Sequence, residues 1–170
     1  MSIYLVHLSS PDSVDFAFTN PGGIRANIEA GEVTYAELFA VQPFDNGLVT
    51  MDLTGEQIYR LLEQQFRADG SSTILQISGL KYTYNPLNPV GSKVTSATLP
   101  DGTTLDPTTT YTVAVNGFLA TGGDGFTVFE EGQNVQTVGG DLEALVAYIQ
   151  SFDQSFTASD PYTELRITTA

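Results

Sequence analysis

The spacing of apolar and polar positions divides the chain into short elements. Ile3 to His7 and the alternating run Val14-Asp15-Phe16-Ala17-Phe18 predict two strands, separated by a Ser-Ser-Pro-Asp turn. Thr34 followed three residues later by Glu37 has the spacing of a capping box, opening a short helix that runs to about Val41. Leu48 to Leu53 reads as a strand. Thr54-Gly55-Glu56-Gln57 then opens the strongest helix in the chain, with Ile58, Leu61, Leu62 and Phe66 at helical spacing and an end near Asp69-Gly70. From Ile74 to Val115 the pattern turns to short strands, Ile74–Ile77, Leu80–Tyr84, Val94–Leu99 and Tyr111–Val115, which predict a β meander. Gln133–Val138 follows as a strand, Asp141–Ile149 as an amphipathic helix and Leu165–Ile167 as an edge strand. Helices alternating with strands at first, then strands alone, argue for an α+β fold with helices packed on a mixed β-sheet.

One stretch breaks this pattern. Asn116-Gly117-Phe118-Leu119-Ala120-Thr121-Gly122-Gly123-Asp124-Gly125-Phe126 sets three glycines around one Asp between two Phe. Glycine brings no apolar surface and costs backbone entropy, so core packing does not account for the run. A ligand-facing loop at the end of the preceding strand does. Thr19-Asn20-Pro21-Gly22-Gly23-Ile24-Arg25 likewise follows a strand and brings Asn20 and Arg25 to one edge.

Composition narrows the partners. A length of 170 residues suffices for one domain with a full core, and no apolar stretch reaches the roughly 20 residues of a membrane-spanning helix. Against 20 Asp and Glu stand only 6 Lys and Arg, a formal charge of -14 that repels polymeric nucleic acid and anionic lipid. An anionic small ligand would have to be held by one or two placed arginines. Cysteine is absent, which excludes disulfides and thiol chemistry. Met1 to His7 has neither the basic start nor the apolar length of a signal peptide. The acidic residues lack the Asp-x-Asp-x-Asp spacing of a calcium loop, and the single histidine, His7, has no Asp/His ligand spacing around it.

Four motifs, Asn20–Arg25, Pro43-Phe44-Asp45-Asn46, Leu53-Thr54-Gly55 and Asn116–Phe126, resemble in order and spacing the C-terminal domain of the 5'-nucleotidase and UDP-sugar hydrolase family. The resemblance covers residues 14–168 of a single domain spanning 1–170, with residues 1–13 standing apart. It implies a nucleotide-recognition domain that serves a metallophosphatase domain on its N-terminal side. That other domain would hold two divalent metal ions; this chain would carry no cofactor and no catalytic residue of its own. Phe44 and Phe118 resemble the pair that sandwiches the base, Asp124 the acceptor for the ribose hydroxyls, Asn20 a polar contact to the nucleoside, and Arg25 a cation on the phosphate side. The ligand implied is a nucleoside or nucleoside 5'-monophosphate, in a periplasmic, extracellular or cell-surface setting. The metal ligands are missing from this chain, and so is a second arginine that the family carries upstream, where this chain has Met1–Asp12.

Plainer readings stand beside these. Phe44 and Phe118 could be core residues, as Phe126 is expected to be. Asp124 could be a turn residue bonded to its own backbone, Asn20 a turn former before Pro21, and Arg25 one member of a surface ion pair. The whole chain could then be an acidic binding or structural module that keeps only the fold. A carbohydrate-binding domain has no support beyond its aromatic content.

Overall fold

A computed structural model describes residues 14–152 and 166–170. Among these residues eight strands form two sheets: β1 (Phe16–Thr19), β2 (Gly47–Thr54), β3 (Gln76–Ser78), β4 (Lys81–Tyr84), β5 (Val94–Thr98), β6 (Thr110–Asn116), β7 (Gln133–Gly140) and β8 (Ile167–Thr169). The larger sheet has the order β3-β1-β6-β2-β7 and the smaller the order β5-β4-β8. In the larger sheet β1 and β6 run parallel and the other pairs antiparallel. With the four α-helices among the described residues, α1 (Tyr35–Val41), α2 (Gly55–Glu63), α3 (Gly117–Ala120) and α4 (Asp141–Gln150), the expected α+β architecture on a mixed sheet is present. The first expected strand, Ile3–His7, and Leu165 of the last lie outside the described residues.

Strand alternation sorts the core into two layers. Phe16 and Phe18 of β1, Val49, Met51 and Leu53 of β2, and Val113 and Val115 of β6 face one cluster, with α2, Phe126 and Phe129. Ala17, Leu48 and Ala114 face the other, where α1 and α4 contribute Leu38, Val41, Leu142, Leu145 and Tyr148. Because β6 is buried on both faces it sits centrally, between β1 and β2.

Two sequence expectations are corrected. The strands from Ile74 to Val115 are not one meander. β3 and β6 join the larger sheet on either side of β1, whereas β4 and β5 form a hairpin in the smaller one, extended by β8. Local turn signals mark strand ends but carry no information on distant partners. The second helix also stops at Glu63, well before Asp69. Phe66 bridges to Ser72 and packs on Tyr84 with ring centroids 4.9 Å apart, while the Arg67 amide donates to Ser71 O. Its helical spacing from Leu62 reflects shared burial, not a continued helix.

The helix starts follow the sequence. Thr34 accepts from the Glu37 amide and Glu37 accepts from the Thr34 amide, and Thr54 and Gln57 repeat the reciprocal arrangement at α2. Thr54 is also the last residue of β2, so the strand passes into the helix without a loop.

Candidate functional site

Three connections converge at one end of the larger sheet: the turn after β1, the turn before β2 and the glycine-rich segment after β6. Between them lies a cleft of about 500 Å³ lined by Asn20, Gly22, Gly23, Phe44, Asn46, Phe118 and Asp124. Four of the five residues singled out in the sequence therefore share one cavity. Arg25 lies beside it, with its guanidinium carbon 5.8 Å from the centroid of the Phe44 ring and Nη1 3.4 Å from Gly22 O.

The two phenylalanines are not core residues. Phe44 is 55% and Phe118 45% exposed, in a chain whose Phe16, Phe18, Phe126 and Phe129 are almost wholly buried. Leaving a large ring half in water forgoes apolar burial, so its exposure within a cleft marks a surface that a ligand can cover. Phe44 is followed by Asp45 in left-handed backbone, at φ 52°. Phe118 sits in the one-turn α3, and a Cβ on Gly123 would fall 2.6 Å from its ring and 2.5 Å from its carbonyl oxygen. Only glycine lets the loop fold back so closely over that ring.

The polar side of the cleft is a connected set of hydrogen bonds. Asn20, only 5% exposed, donates from Nδ2 to Asp124 Oδ2 at 2.8 Å and accepts at Oδ1 from Asn116 Nδ2 at 3.1 Å. Asn116 Oδ1 in turn accepts from the Leu119 amide at 2.9 Å, capping α3. A Cβ at Gly23 would come within 2.9 Å of Asn20 Oδ1, so the Pro-Gly-Gly turn is shaped around this amide. Asp124 does not close a turn on its own backbone. It takes φ 55° and ψ 14°, and its second carboxylate oxygen can accept from a diol at the cleft.

Sequence reasoning gave no role to Asn46, Asn116 or Arg67. Asn46 lines the cleft, donates from Nδ2 to Asp141 Oδ2 at 3.2 Å, and its carbonyl accepts from the Asp141 amide at 2.9 Å. Asp141, buried at the start of α4, has its carboxyl pushed above the ordinary range by desolvation, partly offset by the hydrogen bond from Asn46. Asn116 carries a readable signal, a good N-cap residue directly before Gly-Phe-Leu-Ala. Arg67 carries none, because its bond to the Asp124 carbonyl oxygen joins residues 57 positions apart. Among the described residues no group of three or more His, Asp or Glu is placed to hold a metal ion, and no helix is long and apolar enough to cross a membrane.

Residues 9–131 match the family model described as 5'-nucleotidase, C-terminal domain. The chain is 39% identical over 155 residues to the cell wall protein Lmo0130 of Listeria monocytogenes, covering 86% of this chain and 20% of that protein. It is 39% identical over 129 residues to the trifunctional nucleotide phosphoesterase protein YfkN of Bacillus subtilis, covering 72% of this chain and 9% of that protein. Among solved structures, the 5'-nucleotidase precursor from Thermus thermophilus superposes with a TM-score of 0.77 at 35% identity, over 92% of this chain and 31% of the other. The chain thus spans under a third of the length of each of these proteins. It belongs to the 5'-nucleotidase C-terminal domain family.

Proposed function

We propose that this chain binds the nucleoside part of a nucleoside 5'-monophosphate and presents its phosphate to a metallophosphatase domain of a 5'-nucleotidase-type hydrolase. The carrying observation is the pair Phe44 and Phe118, half exposed in one cleft whose polar side holds Asp124. In this reading the base stacks between the two rings, a contact worth about 1–3 kcal/mol per aromatic and tolerant of base identity. The Asp124 oxygen not bonded to Asn20 accepts from the ribose hydroxyls, and Asn20 supports that carboxylate while touching the nucleoside. Arg25, adjacent to the Phe44 ring, reaches toward the phosphate. Residues 14–168 act as one recognition domain. In this reading hydrolysis, and the two divalent metal ions it needs, belong to the partner domain.

A second reading has one observation behind it: Asn20 and Asp124 satisfy each other without any ligand, as in a scaffold that has lost its site. NMR titration of the 170-residue chain with adenosine and AMP separates the two. Recognition predicts saturable shifts at Phe44, Phe118 and Asp124 with dissociation constants of ~0.1–10 mM, abolished in Phe118→Ala and weakened, with stacking retained, in Asp124→Ala. Absence of shifts well above that range leaves the motif as scaffold and ends the nucleotide reading.

A further inference from the structure

Asp124 holds a backbone conformation that L-residues seldom adopt, between Gly122 at φ 78° and Gly125 at φ 84°. Three residues of four are in left-handed geometry, and the segment closes on itself through Gly125 N to Gly122 O and Phe126 N to Gly123 O; the Asp124 carboxylate and carbonyl are bonded from outside it. Two side chains hold this residue from opposite ends. Asn20 Nδ2 takes the carboxylate, and Arg67 Nη2 donates to the Asp124 carbonyl oxygen at 2.8 Å. Arg67 is fixed in turn. Its Nη1 donates to Thr73 Oγ1 at 2.8 Å, its amide donates to Ser71 O, and its carbonyl accepts from the Gly70 amide. The early end of α2 is what brings it there: were the helix continued past Glu63, the tight turn between Phe66 and Ser72 would not form.

We propose that Arg67 is a positioning residue that sets the Asp124 carboxylate for a cis-diol, and so makes this site select ribonucleotides over nucleotides lacking the sugar hydroxyls. The inference rests on the nucleotide-recognition reading above and extends it to a residue outside the cleft. A planar guanidinium suits the task because two of its nitrogens bond Thr73 and Asp124 O at once, with the angle between them fixed; a lysine ammonium on a flexible stem cannot reproduce that fork. Acting only through Asp124, Arg67 has no bearing on the stacking rings.

The test compares AMP with 2',3'-dideoxy-AMP by NMR titration of the 170-residue chain, in wild type, Arg67→Gln, Arg67→Lys, Asp124→Ala and the double variant Arg67→Gln/Asp124→Ala. Losing a charge-assisted hydrogen bond that orders the acceptor is expected to weaken AMP binding about tenfold in Arg67→Gln, with dideoxy-AMP changed less than about twofold. Arg67→Lys should resemble Arg67→Gln, and Arg67→Gln should have no further effect once Asp124 is alanine. Should Arg67→Gln fail to fold, Thr73→Ala removes only the Nη1 anchor and is expected to shift the AMP to dideoxy-AMP ratio in the same direction. Equal weakening of both ligands, an unchanged ratio, full selectivity in Arg67→Lys, or additive effects with Asp124→Ala would each overturn the role of Arg67 while leaving the nucleotide site standing. Wild-type protein that binds neither ligand would overturn the site and this role together.

Discussion

At the scale of single residues, the chain carries several groups in states that folding alone would not select. Phe44 and Phe118 stay half exposed, Asp45 and Asp124 adopt left-handed backbone, and Asp141 buries a carboxyl with Oδ1 unpartnered. Of these, Phe44, Phe118 and Asp124 line the cleft, Asp45 adjoins it, and Asp141 is joined to it through Asn46. Asp141 yields a pH prediction. Desolvation raises its folded pKa above the unfolded value, so between the two the folded chain retains a proton that the unfolded chain has released. Its contribution is therefore complete below the unfolded pKa and is lost as pH rises through the folded one. Hydrogen bonds from Asn46 and from the Leu142 and Asp141 amides oppose the shift, and Glu143 adds to it by like charge. Thermal melts of wild type and Asp141→Asn across about pH 4 to 8 should show wild type losing ground to the variant as pH rises. A difference that does not change with pH, or changes the other way, would mean that the carboxyl is not desolvated.

At the scale of elements, the parts that present the site are held by local chemistry. Thr54 ends β2 and caps α2, whose Ile58, Leu61 and Leu62 fill the first core layer. Thr54→Ala removes one acceptor for the Gln57 amide and should cost about 1 kcal/mol, lowering the melting temperature by roughly 2–4 °C for a chain of this size. AMP affinity is expected to stay the same, because no residue of α2 lines the cleft. Unaltered melting would show that Gln57 and solvent replace the cap. A buried pair fixes the step from α2 to the smaller sheet: the Tyr82 hydroxyl and the Gln65 carboxamide bond each other, and Gln65 Oε1 also accepts from the Leu75 amide. Burial pushes the Tyr82 phenol up to about 12. This network brings β4 and the Phe66–Ser72 turn together, and that turn carries Arg67.

At the scale of the whole molecule, charge is the dominant feature. A formal charge of -14 with few described ion pairs, such as the exposed pair of Arg60 with Glu131, leaves the acidic side chains with little compensating positive charge, so they repel one another across the surface. Added salt screens that repulsion, so raising sodium chloride from about 0.02 M to 0.5 M should raise the urea midpoint. A falling midpoint would point to specific ion pairs outweighing the general repulsion. Much of this protein was legible in its sequence. Hydrophobic alternation identified β1, β2, β6 and β7, Thr34 and Thr54 announced their helices, and unusual glycine placement singled out Phe118 and Asp124, because each of these signals acts over a few residues. Only the tertiary structure decided which strands pair, since β1 chooses β3 and β6 by packing across long stretches of chain. It alone decided where α2 stops, since Phe66 is drawn to Tyr84 and not to the helix axis. The union of Asn20 with Asp124, Asn46 with Asp141 and Arg67 with the Asp124 carbonyl was likewise beyond the sequence, because a hydrogen bond between residues 57 to 104 positions apart leaves no mark on the local pattern of either.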